Sequence, residues 1–141
     1  MKENLVVSEK TDKILHLKLN DSENQNTLSY EMILELDEKF KQASNDNKVK
    51  VIILSSTGKV FCAGHNLKDL HSKRIDSDKG KEYYDKIFKS CSNLMMNIVQ
   101  NSKPVLASID GIATAAGCQL IASCDLAYAS DKAKFATPGV N

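Results

Sequence analysis

The chain has 141 residues, 42% of them hydrophobic and 26% charged, which is the make-up of one folded domain around a single core. Its 19 basic and 18 acidic residues are scattered along the sequence and leave a net charge of +1, so no field is present to recruit nucleic acid or an anionic membrane surface. No apolar run is long enough to span a bilayer, and Met1-Lys2-Glu3-Asn4 opens neither an apolar signal core nor an Arg-rich presequence, which makes a cytoplasmic location the default expectation.

Val6-Val7 and then Ile14 to Leu19 alternate apolar and polar residues across the polar turn Glu9 to Asp12, the pattern of an opening hairpin. After a polar loop from Asn20 to Asn26, Ser29 is a good N-cap and Glu31 suits the positive helix end. Met32, Ile33, Leu36, Phe40 and Ala43 form one stripe, so a helix is predicted over 30–44. Val49 to Leu54 is a nearly continuous β-branched run, expected as a strand buried on both faces of a sheet. A loop through Gly58 and Gly64 follows, and then a charged stretch from Lys68 to Lys81, whose part from Lys73 is expected to be a solvated loop.

Tyr84, Ile87, Phe88, Cys91, Leu94, Met95 and Ile98 recur at helical spacing and predict the longest element. Pro104 ends that register, Val105 to Ile109 is a strand, and Asp110-Gly111 a turn. Ala115 to Ser123 is a short helix of small residues, Asp125 to Ala129 a further strand, and Phe135 to Asn141 a loop that leads to no final element. Strands alternating with helices are the grammar of an α/β fold with mainly parallel strands and right-handed crossovers.

Cys62, Cys91, Cys118 and Cys124 lack C-x-x-C spacing, and His16, His65 and His71 do not combine with them as a ligand set. Buried reduced thiols are expected, and no metal site.

Two segments set small residues where a strand gives way to a helix, so that backbone amides can face a ligand oxygen. One is Phe61 to Leu67. The other runs from Asp110 to Gln119, with five alanines and glycines between Gly111 and Gly117. From spacing alone, ordinary tight packing is the commoner account of each.

The string Val60-Phe61-Cys62-Ala63-Gly64-His65-Asn66-Leu67-Lys68-Asp69-Leu70 resembles the first oxyanion segment of the enoyl-CoA hydratase/isomerase (crotonase) superfamily. Lys103-Pro104-Val105 through Asp110-Gly111, Ala116-Gly117-Cys118 and Cys124-Asp125 resembles the second, in the right order and at about the right distance. The resemblance implies a crotonase-like spiral of β-β-α units over 1–141, incomplete at the C-terminus, with the C-terminal helical region of complete members absent. It implies an acyl-CoA thioester as ligand, its carbonyl oxygen bound by the amides of His65 and Ala116, and a CoA channel along Cys62, Ala63, Gly64, Asn66, Leu67 and Lys68. Coenzyme A would be part of the substrate, with no permanently bound cofactor. Complete members form trimers and hexamers, and a mitochondrial location is common among them.

The sequence departs from the hydratase pattern at Gln119 and Gly139, which stand where that family carries its two glutamates. A carboxamide orients water but does not take its proton. The superfamily includes isomerases, hydrolases, dehalogenases and decarboxylases that keep the oxyanion hole without those carboxylates, so an enzyme of this family remains the expectation. The alternatives are a non-catalytic acyl-CoA binding or regulatory protein and an inactive fragment. His65, Asp69 and His71 lie close enough in sequence to the first segment to replace a carboxylate, against the commoner role of packed or surface residues. Asp125 is expected to be a structural hydrogen-bond acceptor.

Overall fold

The computed structural model describes residues 4–138. Strands β1 (Val6–Thr11) and β2 (Ile14–Leu19) form the expected hairpin, with Val6 opposite Leu19 and Thr11 opposite Ile14. The Ser29 hydroxyl accepts from the amide of Met32 at 3.2 Å and starts α1 (Tyr30–Asn45), which buries Met32, Ile33, Leu36, Phe40 and Ala43. The capping bond satisfies a helix-end donor while the stripe supplies the apolar burial. The Glu35 carboxylate on α1 accepts from the amides of Leu5 and Val6.

Strand β3 (Val51–Ser56) lies parallel to β2, and β4 (Val60–Cys62) leaves it for a second sheet. Helices α2 (Leu67–Ser72) and α3 (Lys81–Val99) follow, and α3 is the longest element. Strands β5 (Val105–Ile109) and β6 (Ile112–Thr114), helix α4 (Ala116–Ala122), and strands β7 (Leu126–Ala129) and β8 (Lys134–Ala136) complete the described chain. The five-stranded sheet has the order β1-β2-β3-β5-β7, parallel throughout except for the hairpin; the small sheet has the order β4-β6-β8, all parallel.

Each later unit therefore sends one strand to the large sheet and the next to the small one, and a helix follows the pairs β3–β4 and β5–β6. Gly58, at φ 76°, and Gly111, at φ 106°, mark the handover corners. A Cβ on Gly111 would lie 2.2 Å from the carbonyl oxygen of Lys59, so the second corner sits against the first with no room for a side chain. Helices α1 and α3 pack together over one face of the large sheet, joined by a hydrogen bond from the Asn97 amide to Asp37, and just beyond α3 Asn101 donates to the Phe40 carbonyl.

Several expectations are corrected. In β3, Ile52 and Leu54 are fully buried but Val51 and Ile53 are half-buried, because the helices cover one face. Phe135 and Ala136 belong to β8, not to a loop. The stretch after Lys68 contains α2, whose Asn66 cap accepts from the amides of Lys68 and Asp69. Beyond it, residues Lys73–Ile75 form a 3₁₀ turn, and Asp78 accepts from the amides of Gly80 and Glu82. Phe88 is exposed on α3 instead of lying in the core. All four cysteines are free, but Cys118 and Cys124 are half-buried. Among the described residues no helix is long and apolar enough to cross a membrane, and no group of three or more His, Cys, Asp or Glu side chains is placed to hold a metal ion.

Candidate functional site

Strands β4 and β6 are parallel neighbours, so the corners that follow them emerge side by side. Gly64, at φ 84°, closes the gap: a Cβ there would stand 3.1 Å from the Ala115 Cβ and 3.2 Å from the Ala116 nitrogen. From the other side, a Cβ on Gly117 would meet the Cys62 carbonyl oxygen at 2.2 Å. The Thr114 hydroxyl donates to the Ala63 carbonyl at 3.1 Å. The two sequence segments therefore form one backbone-lined corner.

Ala115 holds φ 51° and ψ −121°, a conformation that a residue with a Cβ adopts at a cost of about 1–3 kcal/mol. Its amide donates to the Ala136 carbonyl and its own carbonyl accepts from Cys118 and Gln119. The neighbouring bonds run from Leu28 to the Gly64 carbonyl and from Ala63 to the Gln25 carbonyl. Among the described residues the amides of His65 and Ala116 have no acceptor. Two spare donors beside a glycine-tight wall are an arrangement that suits an oxyanion.

The proposed channel residues divide. Ala63, Asn66, Leu67 and Lys68 line a cavity of about 290 Å³, shared with His65, Gln25 and Thr27. Cys62 and Gly64 do not reach it: both are buried, and burial pushes the Cys62 thiol up to about 12. Cys62 is a core residue, and Gly64 contributes backbone only. Lys68 is exposed. Gln119 lies exposed on α4, three residues beyond Ala116. Gly139 lies outside the described residues.

His65 is half-buried, with Nδ1 3.4 Å from the Leu28 carbonyl oxygen and its ring edge-on to Phe88 at 5.1 Å between centroids. Burial holds its pKa below the usual histidine value, opposed by the Leu28 contact. His71 is exposed in the last turn of α2, and Asp69 is half-buried with its amide on Asn66. Asp125 accepts from the Val105 amide at 2.7 Å, the structural role expected of it.

The sequence marks neither Gln25 nor Thr27, and it offers Phe88 only as part of the apolar stripe of α3. Gln25 and Thr27 sit in a polar loop that resembles any connector, and their place in the cavity wall depends on pairing with residues far along the chain. The Thr27 hydroxyl oxygen is buried and has no partner among the described residues.

Comparison with known proteins agrees with this architecture. The profile described as enoyl-CoA hydratase/isomerase matches residues 9–141. The chain is 44% identical over 130 residues to enoyl-CoA hydratase domain-containing protein 3, mitochondrial, of Homo sapiens, covering 92% of this chain and 41% of that protein. It is 30% identical over 144 residues to a short-chain-enoyl-CoA hydratase of Clostridium acetobutylicum, covering 99% and 52%. The crystal structure of human enoyl coenzyme A hydratase domain-containing protein 3 superposes with a TM-score of 0.88 at 42% identity, over 98% of this chain and 53% of that one. The chain thus spans about half the length of the relatives it matches.

Proposed function

The chain belongs to the enoyl-CoA hydratase/isomerase family and has its crotonase-like α/β fold, and on that premise we propose that it binds an acyl-CoA thioester with the carbonyl oxygen on the amides of His65 and Ala116. The observation that carries the reading is the pair of partnerless amides set together at the ends of β4 and β6. As an enolate forms, negative charge collects on that oxygen, and each such donor typically contributes ~3–4 kcal/mol of barrier lowering. The pantetheine and nucleotide of CoA run along Ala63, Asn66, Leu67 and Lys68, where Lys68 meets a phosphate. CoA enters as part of the substrate, and a trimer or hexamer is the assembly that the family suggests.

The reaction is one that passes through a thioester enolate, as isomerisation and hydration both do. Two-glutamate hydration is disfavoured by Gln119, because loss of a general acid or base commonly lowers rate by about 10²–10⁴. The test is Ala116→Pro, which removes one donor without touching a side-chain function. Thioester turnover should fall by at least about a hundredfold; a folded variant with full activity would show that the oxyanion assignment is wrong.

A second reading, favoured by the carboxamide at Gln119, is a non-catalytic acyl-CoA binder. It requires thioester binding without turnover, and Gln119→Glu together with Gly139→Glu should then switch hydration on. The vertebrate relative is described as mitochondrial, which makes mitochondria the alternative to the cytoplasmic default, and cell fractionation decides between them.

A further inference from the structure

We propose that the His65 imidazole is the general base of this site, taking the α-proton of the bound thioester on Nε2 while the amide of the same residue holds the carbonyl oxygen. The inference rests on the oxyanion reading above. Its ground is how the ring is held. Nδ1 faces the Leu28 carbonyl oxygen at 3.4 Å, and a carbonyl only accepts, so Nδ1 carries the hydrogen and Nε2 keeps its lone pair. The Phe88 ring meets the imidazole at 85° from α3, which fixes the ring plane between the loop that precedes α1 and the long helix. The side chain lines the same cavity as Ala63 and Asn66.

Burial favours the neutral ring, the form a base requires. No carboxylate is hydrogen-bonded to the imidazole among the described residues. The charged side chains around the same cavity are Glu23 and Lys68, with Asp69 on α2 nearby. The other candidates fit less well: Gln119 has no basic atom at ordinary pH, and His71 lies exposed at the far end of α2.

In the step itself, the Nε2 lone pair forms the new N–H bond and the Cα–H bond breaks. Its electron pair becomes the enolate double bond, and the carbonyl π pair moves onto the oxygen between the two amides. If the new Nε2–H trades its hydrogen with solvent before protonating the α-carbon again, the result is exchange with solvent. Its return to the γ-carbon of an unsaturated acyl group gives double-bond migration. No oxidant, reductant or second substrate is needed.

The experiment follows deuterium uptake at the α-carbon of butyryl-CoA in D₂O by mass spectrometry, alongside calorimetric binding of the same thioester, for the intact chain and for His65→Ala and His65→Gln. Both variants keep the backbone amide. The expected result is binding retained within about threefold, exchange slowed by about 10²–10⁴, and partial recovery of His65→Ala on adding free imidazole. Unchanged exchange in the variants would overturn the assignment and leave the oxyanion reading intact. Slowed exchange that imidazole does not rescue would make His65 a positioning residue and likewise overturn it. Binding without exchange in the unaltered chain refutes the base alone, and no binding at all refutes the oxyanion reading and the base with it.

Discussion

Asn26 joins three parts of the chain that must stay together for the cavity to exist. It is fully buried; its side-chain oxygen accepts from the Asp21 amide at 2.8 Å, and its amide nitrogen donates to the carbonyls of Thr57 and Val60, each at 2.8 Å. Its backbone sits at φ 50°, a left-handed conformation that Asn tolerates better than most residues. In Asn26→Ala three hydrogen bonds go, each worth about 1 kcal/mol net, and two carbonyls and one amide are left to find water. A loss of about 3–4 kcal/mol follows. For a chain of this size, with a urea dependence of about 2 kcal/mol per molar, the unfolding midpoint should drop by about 1.5–2 M. Circular dichroism through a urea titration measures it directly. Asn26→Asp sharpens the test, because a carboxylate would face two carbonyl oxygens. It should be more destabilising at neutral pH than under acid conditions, where the protonated form can donate to one of them. A midpoint for Asn26→Ala within 0.5 M of the unaltered chain, at unchanged slope, would mean that the corner does not depend on this side chain.

The other predictions are simpler. Ala115→Gly should stabilise the chain by about 1 kcal/mol, since glycine removes the strain at φ 51° but loses more backbone freedom on folding; thermal denaturation reads it, and a destabilised variant would contradict the strain. Thr27→Val removes a buried hydroxyl without a partner and should raise stability by about 1 kcal/mol while weakening thioester binding if that hydroxyl meets the ligand; calorimetry separates the two effects. For His65, NMR should find titration below the ordinary value of 6.5. The unfolded chain then binds the proton more readily, so stability is complete above the ordinary histidine range and falls as pH drops through it. A midpoint at or above 6.5 would refute this.

Long elements with internal periodicity were legible because their own residues supply the pattern. The Ser29 cap and the stripe from Met32 to Ala43 define α1 before any partner is known, and Val105 to Ile109 declares its strand in the same way. The strands β4, β6 and β8 have three residues each, too few for a period of two to stand out. They exist because neighbours in another part of the chain supply their hydrogen bonds. Helix α2 escaped notice for a related reason: it buries no residue, so it has no apolar stripe, and its Asn66 cap is the sole local cue. At the site, the corner motifs were visible as clusters of small residues, and their resemblance to a known family joined them. Cys62 is buried together with its neighbour Phe61 at the end of β4, so both faces of this short strand are covered there, which its own three residues do not reveal. Phe88 fell on the apolar stripe in the sequence yet lies at its margin, where it meets His65 and not the core.

The pairing of β4 with β6 has a consequence for the order in which the molecule can be built. The Thr114 hydroxyl and the Ala63 carbonyl that join the two corners are 51 residues apart in the chain, and β4 finds its neighbour only after β5 has been laid down. During synthesis the segment around Gly64 emerges well before the one that will hold it, and stays without a partner while α3 forms. Closing so long a loop comes before its reward, which places it late and makes it slow. The corner is therefore a checkpoint of assembly: a chain interrupted before residue 114 carries half of the donor pair and no wall to set it against.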